Sequence, residues 1–122
     1  RLALLMSEGV MKGRIDAHKF VSVTSTGPAQ MYGLFPRKGT IAPGSDADLV
    51  IWDQEREFTL TNDLLHHNVD YTPYAGMQLQ AWPAVVMSRG RIVAKNGECT
   101  AAPGDGEFLP SAPPNPAFPT PE

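Results

Sequence analysis

Asp46 and Asp48 come nearest, by type and spacing, to a catalytic pair. They flank Ala47 in Gly39-Thr40-Ile41-Ala42-Pro43-Gly44-Ser45-Asp46-Ala47-Asp48-Leu49-Val50-Ile51-Trp52-Asp53. Residues two apart on a strand project from one face. Paired carboxylates in a cleft can divide acid and base work between them when their pKa values are pushed apart. The same residues also have a purely structural reading. Pro43-Gly44-Ser45-Asp46 is a turn sequence, and Asp48 can accept backbone hydrogen bonds where a strand begins. That reading needs no substrate and is preferred.

Metal chemistry requires a set of histidine, cysteine or carboxylate donors. The histidines are His18, His66 and His67. Neighbours on an extended chain point to opposite sides, so His66 and His67 do not readily share one ion. The chain has no His-x-His, no Cys-x-x-Cys and no His-Glu-x-x-His. Cys99 is a conceivable thiol nucleophile, but a small half-buried residue after a hairpin is the ordinary explanation. Ser7, Ser22, Ser25, Ser45 and Ser88 lack the Gly-x-Ser-x-Gly elbow, and no glycine run cradles a phosphate. Tyr71, Tyr74 and Trp82 accompany a long polar loop, where such rings serve an interface or cover a core edge. No catalytic, cofactor-binding or metal-ligating residue is assigned within the chain.

The elements that would position these side chains fall into three parts. Residues 1–34 read as helices. Leu2, Leu5, Met6 and Val10 recur at helical spacing, with Gly9 and Gly13 bracketing a stop. Asp16 caps a second helix with Phe20, Val21 and Thr24 facing inward, though the β-branched 21–24 run favours an early end. Thr26 caps a third helix, with Pro28 in its first turn and Gly33 as terminator.

From residue 35 to 109 the pattern is strands and turns. Strands are expected at 48–52, which reads as buried, and at 57–60, 83–88 and 91–95. Asn96-Gly97 should reverse the chain into Glu98-Cys99-Thr100. Residues 110–122 contain Pro110, Pro113, Pro114, Pro116, Pro119 and Pro121, with Phe118 as the large hydrophobe, and read as an extended tail.

Composition narrows the partners. A net charge of −3 with scattered basic residues gives no stripe for nucleic acid and no basic amphipathic helix for a membrane surface. The apolar runs are too short to span a bilayer as helices. One cysteine permits no internal disulfide and suits a reducing, cytoplasmic setting. The Arg1 end reads as part of a helix rather than a targeting segment.

The 39–53 block resembles a signature of the amidohydrolase superfamily. Nearly everything before the proline tail is similar to the C-terminal portion of a dihydropyrimidinase or D-hydantoinase. The matching residues include Leu4-Leu5-Met6-Ser7-Glu8-Gly9-Val10, residues 20–36 and Asn68-Val69-Asp70-Tyr71-Thr72-Pro73-Tyr74-Ala75-Gly76-Met77. Trp82-Pro83, Ser88-Arg89-Gly90 and Pro103-Gly104-Asp105-Gly106-Glu107-Phe108-Leu109 continue the match.

The resemblance implies an α+β piece of a larger enzyme. Residues 1–34 would be the last helices of a (β/α)8 barrel, 35–109 the C-terminal part of a small β-sandwich and 110–122 a tail. The family enzymes hydrolyse cyclic amides such as dihydropyrimidines and hydantoins. They use two metal ions, usually zinc, bridged by a carboxylated lysine, and they are commonly homotetramers whose tails contact neighbouring subunits. Their ligands precede the matched region, so none is carried over and the piece itself is expected to be inactive. The same resemblance allows a non-catalytic assembly module of a dihydropyrimidinase-related protein, or a relative acting on allantoin or dihydroorotate.

Overall fold

A computed structural model describes residues 1–113. Most of the expected tail, Phe118 included, lies outside the described residues. Helix α1 is α-type over Leu2–Leu5 and widens to π-type over Met6–Met11. It stops at Gly13, whose amide donates to the Val10 carbonyl. Gly9 does not stop it. Gly9 is buried within the helix, and its missing Cβ admits the Ile15 side chain, which would lie 3.1 Å from such a carbon.

The second and third expected helices are one rod, α2. It is α-type over Ala17–Val21, π-type over Ser22–Thr26 and α-type again over Gly27–Met31. Asp16 caps its start as expected, its carboxylate accepting the Lys19 amide at 2.6 Å. Thr26 is not a cap. Its backbone is helical and its hydroxyl donates to the Gly39 carbonyl, tying the rod to the following loop. The β-branched run widens the helix instead of ending it. Pro28 has no N–H to return to the preceding turn, and Thr24 bonds back to the Phe20 carbonyl, a contact that bends helices. Phe20 is buried, whereas Val21 is 48% exposed, since the next residue of an α-type turn points about 100° away from the packed face.

Four antiparallel strands follow in the order β1-β2-β3-β4: Leu49–Thr59, Gln78–Ser88, Arg91–Lys95 and Glu98–Cys99. The two strands expected at 48–52 and 57–60 are the halves of β1. Asp53 faces Trp82 and Glu57 faces Gln80, so residues 54–56 bulge opposite Ala81. The Asp53 carboxylate organises the bulge by accepting the Glu55 and Arg56 amides. Ala81, fully buried, takes a left-handed φ of 74° there. The hairpin expected at Asn96-Gly97 forms, with φ of 52° and 93°, the geometry of a tight primed turn.

The core lies where the helices cross the bulge. Met6, Phe20 and Ala81 are its buried residues, with Leu5, Val10, Met11, Ile15 and Trp52 packed around them. Phe20 meets Trp52 edge-on at 5.8 Å between ring centres. Buried Ser7 accepts the Gln80 amide at 3.0 Å, supplying a partner at a position where the bulge has disturbed the strand pairing. The helices cover one end of the sheet only. At the other end Val50 and Ile51 are 40% and 55% exposed, so the start of β1 is not the buried strand its composition suggests. No helix among the described residues is long and apolar enough to cross a membrane.

Candidate functional site

The loop between α2 and β1, the β2–β3 turn and segment 103–109 converge on a cluster of charges. The Pro43-Gly44 turn closes with the Ser45 amide on the Ala42 carbonyl, and Ser45 Oγ donates to the Pro36 carbonyl. These bonds set Asp46 beside Arg37 and Lys38. Arg37 Nε donates to Asp46 Oδ2 at 3.0 Å, and Lys38 Nζ lies 2.8 Å from the same oxygen. Lys38 also donates to Asp48, whose second oxygen accepts the Arg89 amide at 2.9 Å.

Glu107 joins Arg37 to Arg89, at 3.0 and 2.8 Å. Asp105 accepts from Arg91 and from the Ala102 amide, while Arg89 reaches the Asp105 carbonyl.

The electrostatics follow from these partners. The hydrogen bond from Lys38, helped by Arg37, holds Asp46 below the usual carboxylate range. Burial works against the Asp48 charge, but Lys38 and the Arg89 amide outweigh it and the pKa falls. Lys38 is raised for the converse reason, its partial burial being outweighed by both aspartates. Arg37 lowers Glu107, and the Ala102 amide lowers Asp105. Every carboxylate here is moved away from neutrality. Such groups stay charged and paired at pH 7, whereas a general acid or base works best with a pKa near the operating pH. The cluster therefore joins three chain segments electrostatically.

The remaining candidates are dispersed. His18 is exposed on α2. His66 Nε2 lies 3.0 Å from the Gly97 carbonyl and His67 Nε2 lies 3.0 Å from Asn62 Oδ1, so the adjacent rings serve different contacts. Cys99 is exposed rather than half-buried, because two-residue β4 is an edge strand that no described residue covers. Ser7 supports β2, as described, and Ser22 and Ser25 lie on exposed turns of α2. Ser88 ends β2 at the turn to β3.

Tyr71 and Tyr74 are largely exposed and, with Leu5, Leu60, Val69 and Met77, line an open apolar hollow beside α1. Trp82 lies inside the sheet region instead, edge-on to Phe58 at 4.7 Å and under the Arg56 guanidinium at 4.9 Å.

Among the described residues no three His, Cys, Asp or Glu side chains gather as a metal site. Asp46 and Asp48, the nearest approach to one, already hold a lysine between them. The donors present do not fit a two-metal centre. Arg37, Lys38, Arg89 and Glu107 were not singled out from sequence. Their partners are up to 70 residues away, and the available signal was their presence within turn-rich segments that carry the family resemblance.

The pattern of amidohydrolases matches residues 1–93, and the chain belongs to the amidohydrolase family. Within it the similarity runs to enzymes of cyclic amides. The chain is 42% identical to Dihydropyrimidinase 2 of Caenorhabditis elegans over 93% of its own length and 22% of the relative's. It is 44% identical to the D-hydantoinase of Geobacillus stearothermophilus over 92% of the chain and 24% of the relative. The solved D-hydantoinase (dihydropyrimidinase) from Thermus sp. superposes with a TM-score of 0.89 at 42% identity, over 93% of this chain and 25% of that one. The chain thus spans about a quarter of the length of the proteins it matches.

Proposed function

We propose that this chain is the C-terminal part of a metal-dependent hydrolase that opens the ring of 5,6-dihydropyrimidines or hydantoins. The observation that carries the reading is the similarity of over nine-tenths of the chain to dihydropyrimidinases and D-hydantoinases at 42–44% identity. On this reading residues 1–34 are the last helices of the catalytic barrel, 35–109 belong to the companion β-sandwich, and 110–122 form a tail. Two zinc ions with a carboxylated lysine, a homotetrameric assembly and a cytoplasmic setting belong to the same proposal. On this reading the ligands of the metal pair come from elsewhere in the whole protein, which fits the lack of such a donor set among the described residues. No catalytic, cofactor-binding or metal-ligating role is given to residues 1–113.

The role left to these residues is mechanical. The core fixes the helices to the sheet at the β1 bulge, and the charge cluster fixes the loop after α2 to the β2–β3 turn. Expressing the whole reading frame and assaying dihydrouracil and hydantoin tests the activity. Ring opening is expected, with kcat and KM retained when Asp46→Asn and Asp48→Asn are introduced together. Absence of ring opening would refute the substrate class. A folded double variant that lost kcat would refute the purely structural role of the pair.

A further inference from the structure

Beyond β4 the chain doubles back across its own surface. The Thr100 amide donates to the Val93 carbonyl and its hydroxyl to the Ile92 carbonyl, which anchors the departure from the sheet. Pro103-Gly104 then turns the chain, with the Asp105 amide on the Ala102 carbonyl and the Asp105 carboxylate on the Ala102 amide.

Side chains of segment 106–109 divide between solvent and the surface beneath. Glu107 meets Arg37 and Arg89, Phe108 is 87% exposed, and Leu109 is half-buried in the wall of an apolar groove shared with Phe20, Leu34, Ile41, Leu49 and Trp52. Finally the Ala112 amide donates to the Gly33 carbonyl at 3.1 Å. Gly33 serves two needs there. It ends α2 with a φ of +66°, and a Cβ on it would lie 1.8 Å from the Ala112 carbonyl oxygen.

The fastenings of this segment differ in kind from those of the sheet. Between the Asp105 turn and Ala112 the one polar anchor among the described residues is Glu107, which bridges an arginine from the loop after α2 and an arginine from the β2–β3 turn. Solvent reaches both bridges, with Glu107 half exposed, Arg37 nearly so and Arg89 less. Exposed ion pairs are screened by salt. The strand ladder of β2 and β3 has no such dependence.

We propose that segment 106–113, leaving from the Asp105 turn that stays fixed to Arg91 and Ala102, is a releasable strap, held by the Glu107 clasp across Arg37 and Arg89, that keeps Leu109 against the apolar groove. Releasing the clasp frees the strap as a unit and uncovers the groove wall, while the sheet beneath stays paired. Asp46, which also bonds Arg37, holds that arginine in place and remains bonded to it when Glu107 leaves.

Residue-resolved amide exchange on the full 122-residue chain tests this. In Glu107→Gln, the Ala112 amide should exchange about fivefold faster, the scale expected from losing exposed pairs to two arginines. The Val86 and Ala94 amides should stay within about twofold of their original rates, since they belong to a separate opening unit. The unmodified chain should show the same selective loss when sodium chloride is raised from about 0.05 M to about 1 M, which shortens the screening length to a few ångströms. An unchanged Ala112 rate would overturn the proposal. So would a parallel rise across β2 and β3, which marks general destabilisation. Should Glu107→Gln fail to fold, the salt titration decides alone.

Discussion

The two ends of the sheet are held by different physics. At the bulge end, Met6, Phe20 and Ala81 are buried and Ser7 satisfies an amide that the irregular pairing leaves over. At the turn end, Arg37, Lys38, Asp46, Asp48, Arg89 and Glu107 bind one another at the surface, the Arg37–Glu107 pair about half exposed and the Lys38–Asp46 pair more covered. Packing of the first kind is cooperative and insensitive to salt. Pairing of the second kind is weak per contact and tuned by pH and ionic strength. The contrast teaches that the block with the most chemical-looking residues, 39–53, is a joint. Its carboxylates Asp46 and Asp48 are paired with Lys38.

The largest effect should come from the packed end. Phe20→Ala removes a buried ring and its edge-on contact with Trp52, and should cost about 3–5 kcal/mol in urea unfolding. Ser7→Ala should cost about 1–3 kcal/mol by leaving the Gln80 amide buried without a partner, a loss that should persist in high salt. Ala81→Val places a β-branched side chain at a fully buried left-handed position and should cost about 1–3 kcal/mol from overpacking, with added backbone strain.

At the charged end, Lys38→Met should lower the thermal midpoint less than these core changes, and the difference should shrink as salt is added. If Lys38→Met outweighed Phe20→Ala, the contrast between the two ends would fail.

The pH dependence separates the ends further. Asp46, Asp48 and Glu107 have lowered pKa values in the fold. Their stabilisation is therefore full above the ordinary values of 3.8 and 4.5 and is lost as pH falls through the lower folded values. Lys38 runs the other way. Its contribution is full below 10.5 and is lost as pH rises through its raised folded value. Chemical unfolding should give a plateau between about pH 5 and pH 9, falling on both sides. In Lys38→Met the alkaline fall attributable to that residue should vanish.

Local chemistry was readable in advance where neighbours in sequence decide the outcome. The Asp16 cap, the end of α2 at Gly33 and the Asn96-Gly97 hairpin each depend on residues within one turn. Features set by distant segments were not readable. The second and third helices merged into one rod through a π segment over Ser22–Thr26, where Thr24 bonds back to the Phe20 carbonyl. The two short strands became one because the Asp53 carboxylate folds a bulge opposite Ala81. The charge cluster pairs Arg37 with a glutamate 70 positions away, a relation that spacing alone does not carry. Family membership was readable from the turn and loop blocks, and the match over residues 1–93 agrees with them.

On the proposed reading, residues 1–113 serve as scaffold and the catalytic metal centre belongs to other residues of the whole protein. Zinc content after chelator dialysis, measured on the purified 122-residue chain together with its turnover of dihydrouracil and hydantoin, tests that claim most directly. The account predicts no stoichiometric zinc and no ring opening. Retained zinc at one or more equivalents, or turnover by the pure chain, would contradict it.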